Sequence, residues 1–99
     1  MNIQNMMQQA QEMQARLHQQ MGEMRVEGGA GGGMVTVVVS GDKRLQAISL
    51  DPKVVSKDDV EMLQDLIVVA VNDAHRRVDE ELGRQMGGLM GGLKIPGLS

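Results

Sequence analysis

The chain has 99 residues, with ten basic and thirteen acidic side chains, a formal net charge of −3, ten methionines, and no Cys, Phe, Tyr or Trp. This length predicts a single domain, 1–99, with a thin core, and the absence of cysteine excludes disulfides, thiolate nucleophiles and cysteine-ligated metals. Bulk acidity gives no reason to expect a nucleic-acid partner, which would require a local basic patch.

The N-terminus has neither a basic start nor a continuous apolar run, and no stretch approaches the ~18 apolar residues of a membrane span. We therefore expect an unprocessed, soluble, cytoplasmic protein with no membrane partner.

Residues 1–24 are predicted to form a helical arm. Apolar residues follow steps of three and four, and Gln fills most other positions, which is typical of a heptad seam on a helix. Such a narrow seam needs a groove or a second helix to be stable in water. Its methionines also suit an adaptable partner-binding face, although simple packing is favoured. The seam consists of Ile3, Met6, Ala10, Met13, Leu17 and Met24.

Residues 25–50 are predicted to form a three-stranded antiparallel meander. Gly31-Gly32 is a suitable two-residue turn, because glycine tolerates positive φ angles. It would pair Arg25 to Ala30 with Gly33 to Ser40, and the third strand would run from Arg44 to Leu50. Glycine in the first strand leaves room for the close approach of another backbone.

A phosphate-binding loop is the alternative interpretation of the glycine cluster at 28–33. However, no Lys-Ser/Thr pair follows the cluster, and it leads into a strand instead of a helix. Turn and edge geometry is therefore favoured over a nucleotide site.

A second long helix is predicted over 57–86, followed by a flexible glycine-rich tail over 87–99. Ser56 is the expected N-cap, and the acidic residues after it suit the positive end of the helix dipole better than a metal site. Glu80 and Arg84 have the spacing of an exposed i,i+4 pair. The expected core-facing stripe is Val60, Leu63, Ile67, Val71, Ala74, Val78 and Leu82.

One segment of this helix, Leu66 to Val71, is apolar all round, although Val68 lies in line with polar residues. The sheet can cover only one side of it. We infer that a second copy of the chain covers the other side, which predicts a homodimer. The candidate interface residues are Leu66, Ile67, Val68, Val69 and Val71.

Catalytic chemistry finds no support in the side chains. His18 and His75 lie on different helices, and neither has a carboxylate, serine or second histidine at a useful spacing. We therefore expect no enzymatic activity, no cofactor and no metal.

The remaining candidates for a functional site are basic residues on the two helices, which could contact phosphates. A solvated face is their default interpretation, but in a two-fold dimer each appears twice, and paired arginines can straddle phosphates without reading bases. Lys43 and Arg44 mark a sheet turn. The candidate DNA-binding residues are Arg16, Arg76, Arg77 and Arg84.

Several motifs resemble the YbaB/EbfC family of bacterial nucleoid-associated proteins. They are the opening MQQAQEMQ, then VEGGAGGGMV, Asp51-Pro52, EMLQDLIVVAVNDA from Glu61 to Ala74, and a glycine-rich end near PGL. The resemblance spans nearly the whole chain. It implies an α+β fold, with an α-β3-α protomer in an intertwined, tweezer-like homodimer.

The resemblance also implies a function. Helical arms of such a dimer would engage duplex DNA with little sequence preference, and the protein would organise the nucleoid and contribute to gene regulation. One departure is that the first helix is poor in cations, with Arg16 set against Glu12 and Glu23. The alternative is an adaptor for replication or recombination proteins that does not bind DNA directly.

Overall fold

The protein has two helices flanking a small sheet, which confirms the predicted α-β3-α order. The computed structural model describes the backbone of residues 2–90 and the side chains of residues 2–87. Its elements are α1 (Ile3–Glu23), β1 (Val26–Ala30), β2 (Val35–Val39), β3 (Leu45–Leu50), a short 3-10 helix (Pro52–Val54) and α2 (Val60–Met90).

The sheet is the predicted antiparallel meander, in the order β1-β2-β3, but its first turn differs from the prediction. Ala30 pairs with Val35, so residues 31–34 form a four-residue loop instead of a two-residue turn at Gly31-Gly32. The three consecutive glycines 31–33 have positive φ values of 66°, 66° and 93°. Because glycine adopts such left-handed backbone conformations without steric cost, this run permits a loop longer than two residues. The wider loop also lets the Met34 carbonyl accept a hydrogen bond from the Asp51 N–H at 2.8 Å. All three strands are shorter than predicted, by one to three residues.

The core lies between α2 and the inner face of β1 and β2. From β2, Val35, Val37 and Val39 are fully buried, because alternate residues of a strand point to the same face. The two backbones come very close at Gly28: a Cβ there would lie 2.4 Å from the Ala74 backbone nitrogen. The glycine in β1 therefore permits the close backbone approach predicted for this strand. The buried side chains that complete the core are Ala30, Val54, Ala70, Ala74 and Val78.

The start of α2 lies later than predicted, and its cap is a different residue. Asp59 Oδ1 accepts a hydrogen bond from the Met62 N–H at 3.1 Å, which is N-cap geometry. Ser56 instead accepts one from the Asp58 N–H within the preceding turn. The predicted cap at Ser56 is therefore wrong, because one further turn separates the 3-10 helix from α2.

The buried face of α2 also differs from the predicted stripe at its proximal end. Val60 is 50% exposed, whereas Ala70, outside the predicted stripe, is fully buried. A small residue suits this position because the helix backbone lies close to glycine-bearing β1. At the distal end α2 continues to Met90, past the predicted end at Met86. The rest of the predicted tail, 91–99, lies outside the described residues.

α1 extends away from this core. Its N-terminus is capped by Asn2, whose side chain accepts a hydrogen bond from the Gln4 N–H at 3.1 Å. None of its side chains is buried. It is joined to the sheet near its C-terminal end, where the Gly41 N–H donates to the Met21 carbonyl at 2.8 Å. The molecule is consequently elongated, with a longest dimension of 68 Å.

Candidate nucleic-acid interface

Three of the four predicted DNA-binding arginines lie together on the distal half of α2. Arg76, Arg77 and Arg84 have side chains that are 61%, 55% and 69% exposed. At 1.5 Å per residue they span about 12 Å of helix. Arg16 is also exposed but lies on α1. The three α2 arginines are called the arginine row below.

Every arginine of the row is ion-paired within α2. Arg76 contacts Asp73 and Glu80, each at 2.6 Å, and Arg77 contacts Asp73 at 3.0 Å. These pairs have i,i+3 and i,i+4 spacing, which places both side chains on one helix surface.

The pairing at the distal end differs from the prediction. Arg84 pairs with Glu81 at 2.6 Å, not with Glu80. Glu80 is occupied by Arg76, because the same one-turn spacing also relates Glu80 to the residue four positions before it. The predicted Glu80–Arg84 pair is therefore wrong.

Asp73 connects the arginine row to the sheet. One carboxylate oxygen, Oδ2, accepts the Gly29 N–H at 3.0 Å and the Arg77 Nε–H at 3.0 Å, while Oδ1 accepts from Arg76 at 2.6 Å. Only 17% of its side chain is exposed. The hydrogen bond from Gly29, followed by the one from Arg76, holds the pKa of the Asp73 carboxyl below its usual range.

Asp73 is not among the site residues predicted from the sequence. Its spacing of three and four residues from Arg76 and Arg77 is a readable signal for ion pairing. The hydrogen bond between Asp73 and Gly29 cannot be predicted from spacing along the sequence, because it depends on how α2 lies across β1.

A groove runs between the arginine row and the junction of α1 with β1. It encloses about 560 Å³, and Arg25 contributes a further cation to it. The Arg25 guanidinium donates to the carbonyls of Gly22 and Met24 at 2.7 and 2.9 Å. Arg25 therefore satisfies carbonyl oxygens at the end of α1, where a cation is favourable. The charged lining residues are Arg25, Arg77 and Arg84 opposed by Glu27, Glu80 and Glu81.

The basic residues at the β2–β3 turn are paired as well. Lys43 contacts Asp79 of α2 at 2.9 Å, and Arg44 contacts Asp42 at 3.3 Å. The Lys43 pair ties the turn to α2, whereas the Arg44 pair is local. Neither residue adds an uncompensated charge to the arginine row.

The five candidate interface residues divide into two groups. Leu66, Ile67 and Val71 are partly buried and pack against the core between α2 and the sheet. Val68 and Val69 are 58% and 55% exposed. The side of α2 that carries these two valines is thus uncovered by the sheet.

The described residues offer neither a cluster of metal ligands nor a membrane-spanning helix. No group of three or more His, Cys, Asp or Glu side chains there has the geometry to hold a metal ion. Within residues 2–90, neither helix combines the length and the apolar character needed to cross a membrane.

Comparison with known proteins places these features in a family. The sequence model of the YbaB/EbfC DNA-binding family matches residues 1–93. Nucleoid-associated proteins of Acetivibrio thermocellus and Desulforamulus reducens are 50% and 49% identical to the chain, each over 98% of it and over 89% and 95% of their own lengths. One from Caldanaerobacter subterraneus is 46% identical, over 98% of this chain and 90% of its own.

The fold has a counterpart among solved structures. The crystal structure of an uncharacterised protein from Helicobacter pylori superposes with a TM-score of 0.71, covering 91% of this chain and 98% of that one, at 20% identity. That likeness shows the shared fold. The match of the family model over residues 1–93, with relatives at 46–50% identity over 98% of the chain, establishes that the chain belongs to the YbaB/EbfC DNA-binding family.

Proposed function

We propose that this protein is a non-enzymatic, nucleoid-associated homodimer that binds duplex DNA through the phosphate backbone. In this role it organises the nucleoid of the cytoplasm and contributes to gene regulation. The observation that carries the proposal is the arginine row, which presents three exposed guanidiniums on one helix of a chain from a DNA-binding family.

The chemistry of the row favours phosphate over base contacts. A guanidinium presents donors in a planar fork that matches carboxylate and phosphate oxygens alike, and here all three forks already hold carboxylates. Phosphate contacts position a protein on duplex DNA but carry no sequence information directly. Binding through this row therefore gives little sequence preference.

A homodimer is supported by apolar surface that one protomer leaves uncovered. Leu45, Ile48 and Leu50 of β3 face the same side of the sheet as the buried valines of β2, since directly opposed residues share a face. They are nevertheless 38–47% exposed, because α2 packs on β1 and β2 and leaves β3 bare. Val68 and Val69 of α2 are exposed as well, and uncovered apolar side chains of this number are typical of a protein contact.

The dimer is tested by the mass of a single-site variant. Val68→Asp introduces a charge that is tolerated in a protomer, where Val68 is 58% exposed, but is costly inside an interface. Light scattering at micromolar concentration should give twice 10.7 kDa for the wild type and 10.7 kDa for the variant. Val55→Asp, at an equally exposed loop valine, is the matched control and should stay dimeric. A folded wild type of 10.7 kDa would refute the dimer.

DNA binding is tested by fluorescence anisotropy with a random-sequence duplex. In Arg76→Ala/Arg77→Ala, affinity should fall by about tenfold or more, because each protomer then neutralises two fewer phosphates. The dependence of log affinity on log salt should become shallower by about 0.9 for each phosphate that is no longer neutralised.

The matched control removes the same charge elsewhere. Lys53→Ala/Lys57→Ala changes two exposed cations next to the start of α2, far from the row. Its affinity should change much less. If both double variants bind like the wild type, the row is not the DNA site; if the wild type does not bind at low salt, the function itself is wrong.

A protein-interaction adaptor for replication or recombination proteins is the second candidate. A groove of about 700 Å³ between the end of α1 and distal α2 favours it, because Leu17, Met21, Met24, Leu82 and Met86 make its lining largely apolar. Methionine-rich surfaces adapt to varied partners. Affinity capture that resists nuclease, survives Arg76→Ala/Arg77→Ala and is lost in Leu17→Glu would favour this function. Capture that nuclease abolishes would argue against it.

A further inference from the structure

Taken together, the arginine row and the three carboxylates that pair with it have no net charge. The three guanidiniums face three carboxylates within hydrogen-bonding distance, so each cation is neutralised before any ligand arrives. A DNA phosphate that approaches Arg76 or Arg84 must therefore compete with a carboxylate of the protein.

The carboxylates are held in two different ways. Asp73 is 17% exposed and is fixed to the sheet by the Gly29 N–H. Glu80 and Glu81 are 48% and 37% exposed, and the ion pairs that hold them are with arginines of the row. Asp73 is therefore positioned to stay in place, whereas Glu80 and Glu81 can swing into water when a stronger anion takes their arginine.

We propose that Glu80 and Glu81 are intramolecular competitors of DNA phosphates and set the affinity of the arginine row. This rests on the proposed function, because it concerns the same row. Asp73 is the positioning residue: it holds Arg77 through Nε and Arg76 through one terminal nitrogen. Both arginines therefore stay in the row when Glu80 and Glu81 release the contacts of Arg76 and Arg84 to phosphates.

The competition costs affinity in two ways. Each bound phosphate replaces an existing ion pair, so only the difference between two charge-assisted contacts favours binding. The displaced glutamate then lies beside DNA, where like charges repel at distances within the ~8 Å Debye length of physiological salt.

The competition also affects salt dependence. A phosphate that is neutralised by protein releases counterions from DNA, but a glutamate freed by the same event recruits cations. The wild-type salt dependence should thus be shallower than the number of phosphate contacts implies. Removal of the glutamates should steepen it.

The deciding variant is Glu80→Gln/Glu81→Gln, assayed by anisotropy in the full-length protein with the random-sequence duplex. An exposed ion pair corresponds to about a two- to fivefold change in affinity, so the double variant should bind about fivefold or more tightly, with a steeper salt dependence. Asp58→Asn/Glu61→Gln removes the same charge at the other end of α2, about 30 Å away, and should change affinity less than about twofold. Circular dichroism should show both variants folded like the wild type.

A double-mutant cycle separates pairing from net charge. The gain from Glu81→Gln should disappear in an Arg84→Ala background if Glu81 acts through Arg84. A gain that persists in that background, or a Gln double variant that binds like the Asp58/Glu61 control, would overturn the inference. If Arg76→Ala/Arg77→Ala still weakens binding in that case, the proposed function stands without the inference. If it does not, the row is not the DNA site, and the function is refuted only if the wild type also fails to bind DNA at low salt.

Discussion

α1 and α2 show two ways in which one chain stabilises a helix. α2 has three side chains with no exposure, and its backbone touches β1 at Gly28. α1 has no buried side chain and joins the sheet near its C-terminal end. Tertiary packing therefore stabilises α2, whereas α1 depends on its cap, its helix-forming composition and whatever contacts its seam.

The largest expected effect is at the contact between α2 and β1. In Gly28→Val the new Cβ would lie 2.4 Å from the Ala74 backbone nitrogen, so the helix must lift off the sheet. Overpacking of this kind should lower the free energy of unfolding by about 3 kcal/mol or more. Gly22→Ala on α1, where a Cβ meets nothing within 4 Å, is the control and should not destabilise. Urea unfolding at one fixed protomer concentration measures both, and equal midpoints would refute the close contact.

A smaller effect is expected from truncating the core face of α2. Val78→Ala removes two methyl groups from a fully buried side chain and should cost about 2 kcal/mol. Met13→Ala on α1, where 65% of the residue is exposed, should stay within about 0.5 kcal/mol of the wild type. Urea unfolding measures both losses of stability. A large loss in Met13→Ala would mean that a partner covers the α1 seam.

The two helix caps give a third test. Asp59→Ala removes the N-cap of α2 and should lower global stability by about 1 kcal/mol. Asn2→Ala removes the equivalent cap of α1 and should reduce helical circular dichroism without moving the global midpoint, because α1 is nearly independent of the core. If Asn2→Ala shifts the midpoint as much as Asp59→Ala, the two helices unfold as one unit.

The last expected effect is a change in acid sensitivity in Asp73→Asn. The folded protein holds the pKa of Asp73 below its usual 3.8, so its stabilising contribution is complete above that value and is lost as pH falls through the lower folded value. Urea midpoints compared at pH 6 and pH 3 should therefore fall less in Asp73→Asn than in the wild type. Asp65→Asn, an exposed residue of α2, is the control, and parallel curves for all three proteins would contradict the prediction.

Local pattern was sufficient to predict the element order. The observed elements agree with three patterns of the sequence. These are the run of valines in β2, the apolar seam at steps of three and four in α1, and the apolar stripe through Ala74 and Val78 in α2. The exceptions depend on geometry between elements. Ala70 is fully buried although it lies outside the predicted stripe, and the turn after β1 takes in all of residues 31–34 instead of Gly31-Gly32 alone.

The arginine row was only half predictable. Sequence located the cations, and one-turn spacing signals ion pairing, but this spacing offered Glu80 two arginines and could not decide between them. The role of Asp73 depends on Gly29, which lies 44 residues away in the chain. Contacts of that kind are set by packing, so spacing along one helix does not reveal them.

The Asp73–Gly29 hydrogen bond has a consequence for how this sheet can grow. Edge strands invite further strands because they offer free backbone donors, and here a carboxylate already occupies one such donor on β1. An incoming strand would lose that donor and would meet the Asp73 carboxylate, which makes β1 a less receptive edge for strand addition.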